Sequence, residues 1–574
     1  MNNLGNKVIY QIYPKSFYDS NNDGIGDLRG IIEKLDYIKK LNVDFIWFNP
    51  FFVSPQNDNG YDIADYKKVD PRFGTMSDFE ELVAKLKAIN VNVMLDMVLN
   101  HCSTEHEWFK KALAGDKKYQ KFFYLRKGKD GQLPNNWQSK FGGPAWSKFG
   151  DTDYYYLHLY DRSNKNIYAQ LSDTDYYYLH LYDPTQADLD WHNPEVRAAL
   201  IDVVNFWRNK GVHGFRFDVI NVTGKDTILV NSTDPVQEKS LYTDTPVVQQ
   251  YLKELNAKSF GQDPESVTVG EMSSTTIENS IAYTRPEDHE LSMVFTFHHL
   301  KVDYKNGEKW SKMPFDFKKL KDIMLTWNSK IDQGGGWQAL FWNNHDQPWA
   351  LNRFGDTGKY HNKSAEMLAL ALHLLRGTPY IYMGEEIGMM DPHYTSMNDY
   401  VDVEALNAYD ALIKKSIDEK EAFEIVQSKA RDNSRVPMHW DNSQYAGFSG
   451  HKPWLMPTDQ DRINVEKELQ DGEIFNFYQK LIKLRKSEKL ISEGHIKPFL
   501  MEHPQVMAYE RYLDDSNEKL LVFANFYGKE TEVKIPAEYL NKEGHILIQN
   551  YDKNLASLPS VLQLKPYEAL AIKL

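Results

Sequence analysis

The sequence predicts an α/β fold, a (β/α)8 TIM barrel, and three observations carry that expectation. Eight short apolar runs alternate with helix-like segments. The runs are rich in β-branched and aromatic residues, as strands buried on both faces are. At least five of them end in a polar or acidic residue, and barrel enzymes carry their chemistry at the C-terminal ends of their strands.

In chain order the runs are VIYQIYP (8–14), VDFIWFNP (43–50), VNVMLDMVLNH (91–101), GFRFDVIN (214–221), SVTVGEM (266–272), MVFTF (293–297), WQALFWNNHD (337–346) and TPYIYMGEE (378–386). Asp96, Asp218, Glu271 and Asp346 fall at their ends. Between the runs, IIEKLDYIKKLN, MSDFEELVAKLKAIN, NPEVRAALIDVVNFWRNKG, FDFKKLKDIMLTWNSK and KSAEMLALALHLLRG place apolar residues three and four apart, the spacing of one helix face. Ser77 and Glu80 suggest a capping box for the second of these helices.

Two long insertions break the rhythm. The stretch 99–193 far exceeds an ordinary βα loop and reads as a subdomain over the active face. The expected division is therefore 1–101 and 191–490 for the barrel and 102–190 for the inserted subdomain, with an irregular insertion at about 387–470. The helical GEIFNFYQKLIKLRKSEKL gives way to QVMAYERYL, KLLVFANFY and ETEVKIP, whose alternation predicts a C-terminal antiparallel β domain at 491–574. The string DTDYYYLHLYD occurs at 151–161 and again at 173–183, a local tandem duplication that makes either a hairpin or an extra surface loop.

Composition narrows the class. A chain of 574 residues, 41% hydrophobic, buries a large core plus additional domains. A net charge of −14 argues against a nucleic-acid surface. The single cysteine, Cys102, excludes an internal disulfide and fits a reducing compartment. No run is long enough for a membrane span and the N-terminus lacks a signal pattern, so the expectation is a cytoplasmic protein, monomeric or weakly dimeric, with neither membrane nor nucleic-acid partner.

The acids suggest glycoside chemistry. Retaining hydrolysis needs a carboxylate nucleophile and a carboxylic acid about 5 to 5.5 Å apart, and Asp218 and Glu271 on adjacent strand ends suit that spacing. Any one such acid is as readily a helix cap or an ion-pair partner. The set gains weight because Asp96 comes with Asn100 and His101, Asp218 with Arg216, and Asp346 with Asn344 and His345. Arg216 shares a strand face with Asp218 and can keep it ionised. Glu271 has no cation beside it in sequence, which makes it the candidate for the protonated acid.

DMVLNH (96–101), GFRFDVIN (214–221), VGEM (269–272) and NNHD (343–346) resemble the four motifs of the alpha-amylase superfamily (glycoside hydrolase family 13), and QADLDW (186–191) resembles its additional motif. The resemblance implies Asp218 as nucleophile, Glu271 as general acid/base and Asp346 as the third acid, with His101, His345 and Arg216 lining the same subsite. NDNGYDIADY adds Tyr61 as a sugar platform and Asp58 as a hydroxyl partner. RDNSRVPMHW supplies Arg431, with Arg435 the second choice, to pair with Asp58 and close an exo-acting pocket, with Val436 and His439 departing from the usual pattern.

Within the superfamily, FTFHHLKVDYKNGEKW (295–310) and GGGWQALFWNNHDQP are more similar to hydrolases of trehalose 6-phosphate than to oligo-1,6-glucosidases, although Val219 resembles the latter. The implied partner is a small phosphorylated disaccharide, its phosphate held by Lys301 and Lys312, with Lys309 a weaker choice. In DSNNDGIGD, oxygens of Asp19, Asn21, Asp23, Ile25 and Asp27 follow the spacing of a calcium loop with Gly24 at the sharp turn, so a structural Ca2+ is expected and no organic cofactor; an Asx-rich turn without metal is the other reading. The rivals are an oligo-1,6-glucosidase, a trehalose synthase-like isomerase and a non-catalytic amylase-like interaction subunit.

Overall fold

The computed structural model describes residues 3–128, 132–150 and 175–574. All eight apolar runs contribute to one parallel sheet. Its strands are β1 (Ile9–Ile12), β2 (Phe45–Phe48), β3 (Asn92–Met97), β4 (Gly214–Phe217), β5 (Val267–Glu271), β6 (Met293–Phe295), β7 (Ala339–Leu340) and β8 (Thr378–Tyr382). Each strand pairs with the next, β1 pairs with β8, and a parallel bridge between Val294 and Gln338 joins β6 to β7 and closes the ring. Seven of the eight strands are buried along their whole length, and the remaining one, β3, is buried except at its first residue, Asn92.

The helices of the outer ring bury the apolar stripe the sequence predicts. Pro194–Arg208 buries Val196, Leu200, Val203, Val204 and Trp207, with Asn193 as its cap and Pro194 in its first turn. Phe317–Gln333 starts at the capping Asp316. The helix after β1 is two pieces, Leu28–Glu33 and Leu35–Leu41, divided at Lys34. The helix Met76–Ala88 corrects the expected cap. Thr75, extended just after the left-handed Gly74, is the N-cap: its hydroxyl accepts the Asp78 amide and the Asp78 carboxylate accepts the Thr75 amide. Ser77 and Glu80 lie inside the helix, two residues too late to cap it.

Residues 101–103 and 186–188 pair antiparallel across the base of the first insertion, and within it Leu125–Lys127, Tyr176–Leu179 and Trp146–Lys148 form a small sheet with Tyr176–Leu179 in the centre. That central strand comes from the second copy of the duplicated string. The first copy, and with it the choice between hairpin and loop, lies outside the described residues. The stretch 387–470 is less irregular than expected, since it contains the helices Val403–Lys414 and Glu419–Gln427. After Glu473–Ser487, strands His495–Phe499, Val506–Tyr512, Lys519–Asn525, Ala569–Lys573 and His545–Gln549 build a five-stranded antiparallel sheet. Among the described residues, no helix is long and apolar enough to cross a membrane.

Candidate active site

Strand register assembles the acids. Arg216 on β4 sits level with Asp96 on β3 and with Val269 on β5, so its side chain reaches the ends of all three strands. Its Nη1 lies 2.7 Å from Asp96 Oδ1 and 2.6 Å from Asp218 Oδ1, and its Nη2 lies 2.5 Å from Glu271 Oε2. One buried guanidinium thus serves three carboxylates. Glu271, which has no cation beside it in sequence, thus receives one from a neighbouring strand. Burial nevertheless holds the Glu271 carboxyl well above its ordinary pKa, with Arg216 opposing and the Asp218 charge adding to the rise. Val219 donates its amide to Glu271 Oε2 at 3.1 Å from a left-handed backbone, φ 37° and ψ 39°, a conformation costly for a β-branched residue.

Behind Tyr61, which lines the pocket, runs a buried hydrogen-bonded chain. Gln11 donates to His345 Nδ1 at 3.0 Å, which leaves Nε2 of a neutral ring to donate to the Tyr61 hydroxyl at 2.6 Å. Tyr61 in turn donates to Asp96 Oδ2 at 2.9 Å. Burial, outweighing Asp346, lowers His345 to about 3, in keeping with that neutral tautomer. The Tyr61 and His345 rings stack at 4° and 5.3 Å, and His101 lines the same cavity.

Arg431 reaches Asp58 at 3.1 Å, Asp402 at 2.5 Å and Asp346 at 3.6 Å. Arg435, the less favoured of the two in sequence, does something else: it holds Asp346 at 2.8 Å and the His345 carbonyl at 2.7 Å. Burial raises the Asp346 pKa, but His345, Arg431, Arg435 and Arg216 outweigh it and the net displacement is downward. Since His345 is neutral, the arginines account for that ionised state. The departures from the family pattern are packing residues here: Val436 and His439 are buried, and His439 Nδ1 bonds the Ile463 carbonyl at 3.0 Å. Asp402 is the member of this wall that sequence reasoning missed, because it lies in a stretch read as irregular.

Asp58, Tyr61, His101, Asp218, Glu271, Asp346 and Arg431 line a cavity of about 280 Å³ together with Lys140, Phe141, Leu300, Lys301, Tyr304 and Lys309, whereas His345 and Arg216, expected in the same lining, are buried behind it. The three lysines expected to hold phosphate part company. Lys301 lines the cavity and has no carboxylate within ion-pair distance among the described residues. Lys309 lines it but is neutralised by Glu404 at 2.7 Å. Lys312 is exposed, bonded to Glu424 at 2.8 Å and outside the lining, a correction to its expected role. Lys140, from the inserted subdomain, carried no periodic or motif signal and was missed. Burial first, then Lys239 and Lys301, lowers its pKa to about 7.

A buried hub ties this wall together. Asp303 receives Arg353 Nη2 at 2.8 Å and Nε at 3.0 Å, and Lys429 Nζ at 2.6 Å. Arg353 also binds the Leu300 carbonyl and reaches Gln347 at 3.3 Å. The segments after β6, β7 and β8 are thereby fixed to one another.

In the loop 19–27 the expected oxygens curl inward. Asp19 Oδ1 accepts the amides of Asn21, Asn22 and Asp23, Asn21 Oδ1 that of Asp23, and Asp23 Oδ1 that of Ile25, while Gly24 adopts φ 90°. An all-oxygen set suits Ca2+ in kind. Asp27, however, caps the helix Leu28–Glu33, and no three His, Cys, Asp or Glu converge as metal ligands among the described residues.

A closed β/α barrel with this acid set at its C-terminal strand ends is the scaffold of a glycoside-processing enzyme, and the chain belongs to the alpha-amylase family. The profile of the alpha-amylase catalytic domain matches residues 11–171 and 165–494, and that of the alpha-amylase SusG C-terminal domain matches 506–570. The chain is similar to the trehalose-6-phosphate hydrolase of Bacillus subtilis (strain 168), 46% identical over 573 residues, covering 99% of this chain and 97% of that one. It is also similar to the oligo-1,6-glucosidase of Parageobacillus thermoglucosidasius, 41% identical over 576 residues, covering 99% and 98%. The crystal structure of Bacillus licheniformis trehalose-6-phosphate hydrolase superposes with a TM-score of 0.91 at 46% identity, covering 99% of each chain.

Proposed function

We propose that this protein is a retaining, exo-acting alpha-glucosidase that hydrolyses trehalose 6-phosphate to glucose and glucose 6-phosphate. The observation that carries the reading is one cavity lined both by the acids Asp218, Glu271 and Asp346 and by Lys301, which has no ion-pair partner among the described residues. Similarity to enzymes of that name supports it.

Asp218 attacks the anomeric carbon of the unphosphorylated glucose while Glu271 protonates the departing oxygen of glucose 6-phosphate. Glu271, now ionised, takes a proton from water, which releases the sugar from Asp218 with retained configuration. Asp346, held ionised by arginines, accepts the ring hydroxyls, and Asp58 with Arg431 closes the pocket behind the terminal glucose. The site then admits a chain end but no longer chain.

A structural Ca2+ held by Asp19, Asn21, Asp23, Ile25 and Asp27 is part of the same proposal, as are cytoplasmic residence and a monomeric or weakly dimeric state. NMR of the initial products tests the mechanism. Equal amounts of alpha-glucose and glucose 6-phosphate are expected, and Asp218→Asn should be folded and inactive; beta-glucose, or a rearranged disaccharide in place of glucose, refutes it.

A further inference from the structure

The phosphate end of the cavity has two sources of positive charge, and only one belongs to the barrel. Lys301 comes from the segment after β6, whereas Lys140 comes from the inserted subdomain. Lys140 is firmly placed: its amide bonds the Leu181 carbonyl at 2.8 Å, and the preceding Ser139 bonds the Tyr182 carbonyl at 2.7 Å. The next residue, Phe141, packs under the Arg431 guanidinium at 5.1 Å. The Lys140 ammonium faces the Tyr242 ring at 4.9 Å and has no carboxylate in ion-pair distance among the described residues.

Neighbouring Lys309 shows what a structural lysine does here, since Glu404 neutralises it. Lys140 and Lys301 instead line one cavity without an ion-pair partner among the described residues, with Glu238 the carboxylate whose charge acts on Lys140, in a chain whose net charge is −14. Two desolvated ammonium groups raise one another's energy, and a dianion bound between them reverses that cost.

We propose that Lys140 is a specificity-determining residue that binds the 6-phosphate of the substrate from the inserted-subdomain side, opposite in origin to Lys301, so that the phosphate joins the subdomain to the barrel. The inference rests on the trehalose 6-phosphate reading. It adds a residue from a second structural unit, and a reason for that unit to sit over the barrel mouth.

The test compares trehalose 6-phosphate with p-nitrophenyl alpha-glucoside, which has no phosphate, in wild type, Lys140→Met, Lys140→Arg and Lys301→Met. Lys140→Met is expected to lower kcat/KM for the phosphorylated sugar about 10-fold or more, chiefly through KM, the loss of one charge-assisted contact. It should leave the unphosphorylated glucoside within about 2-fold, and Lys140→Arg should restore most of the loss. Equal losses on both substrates, or none on either, overturn the proposal. If wild type itself shows no preference for the phosphorylated sugar, the functional reading falls and this inference with it. If wild type shows the preference and Lys140→Met keeps it, only this inference falls.

Discussion

Arg216 Nη2 lies 2.5 Å from Glu271 Oε2, so the guanidinium that pairs with Asp218 also touches Glu271. Burial still leaves Glu271 well above the ordinary carboxylate range. An acid whose folded pKa exceeds its unfolded value binds more protons when folded, so its contribution to stability is lost as pH rises from about 4.3 through the folded pKa. Glu271→Gln should therefore melt higher than wild type at pH 8, and the gap should close below pH 4. Turnover of a natural glucoside should fall about 10²- to 10⁴-fold. A variant melting no higher than wild type at pH 8 would mean that Glu271 is not kept protonated.

Arg431 grips Asp58 and Asp402 with a planar fork that an ammonium cannot copy. Arg431→Lys is expected to reduce kcat/KM about 10- to 100-fold on both phosphorylated and unphosphorylated glucosides, because both place a terminal glucose there. A loss confined to the phosphorylated substrate would relocate Arg431 to the phosphate end.

Asp303 balances two buried cations, Arg353 and Lys429. Asp303→Asn leaves both uncompensated, and urea denaturation should show a loss of about 3–5 kcal/mol. A loss below about 1 kcal/mol, the range of exposed pairs, would show that the hub is solvated rather than sealed.

For the loop 19–27, EGTA should lower the melting temperature of wild type and added Ca2+ should restore it, since a ligand bound only by the folded state stabilises it. Asp23→Ala should abolish the response. An unchanged melting temperature in EGTA leaves an Asx-turn loop that needs no metal.

The barrel was legible because its strands are buried on both faces and so write their positions as continuous apolar runs. The acids were legible because they end those runs. Contacts made between strands or across loops were not. Nothing in sequence links Arg216 to Glu271, which the parallel register of β4 and β5 brings together. Lys312 follows Lys301 closely in sequence, but the fold turns it outward to Glu424. Lys140, Asp402 and Asp303 sit in stretches without periodicity, where only the tertiary structure assigns a partner. The capping box was misplaced by two residues because Thr75 and Asp78 satisfy the same pattern as Ser77 and Glu80, and Gly74 decides where the chain turns.

The most direct measurement is the initial rate on trehalose 6-phosphate, trehalose and isomaltose side by side, with glucose and glucose 6-phosphate detected separately. A large advantage for the phosphorylated sugar, reduced in Lys301→Met, is the result this account predicts. Faster hydrolysis of isomaltose, with no gain from phosphate, would contradict it and make the enzyme an oligo-1,6-glucosidase.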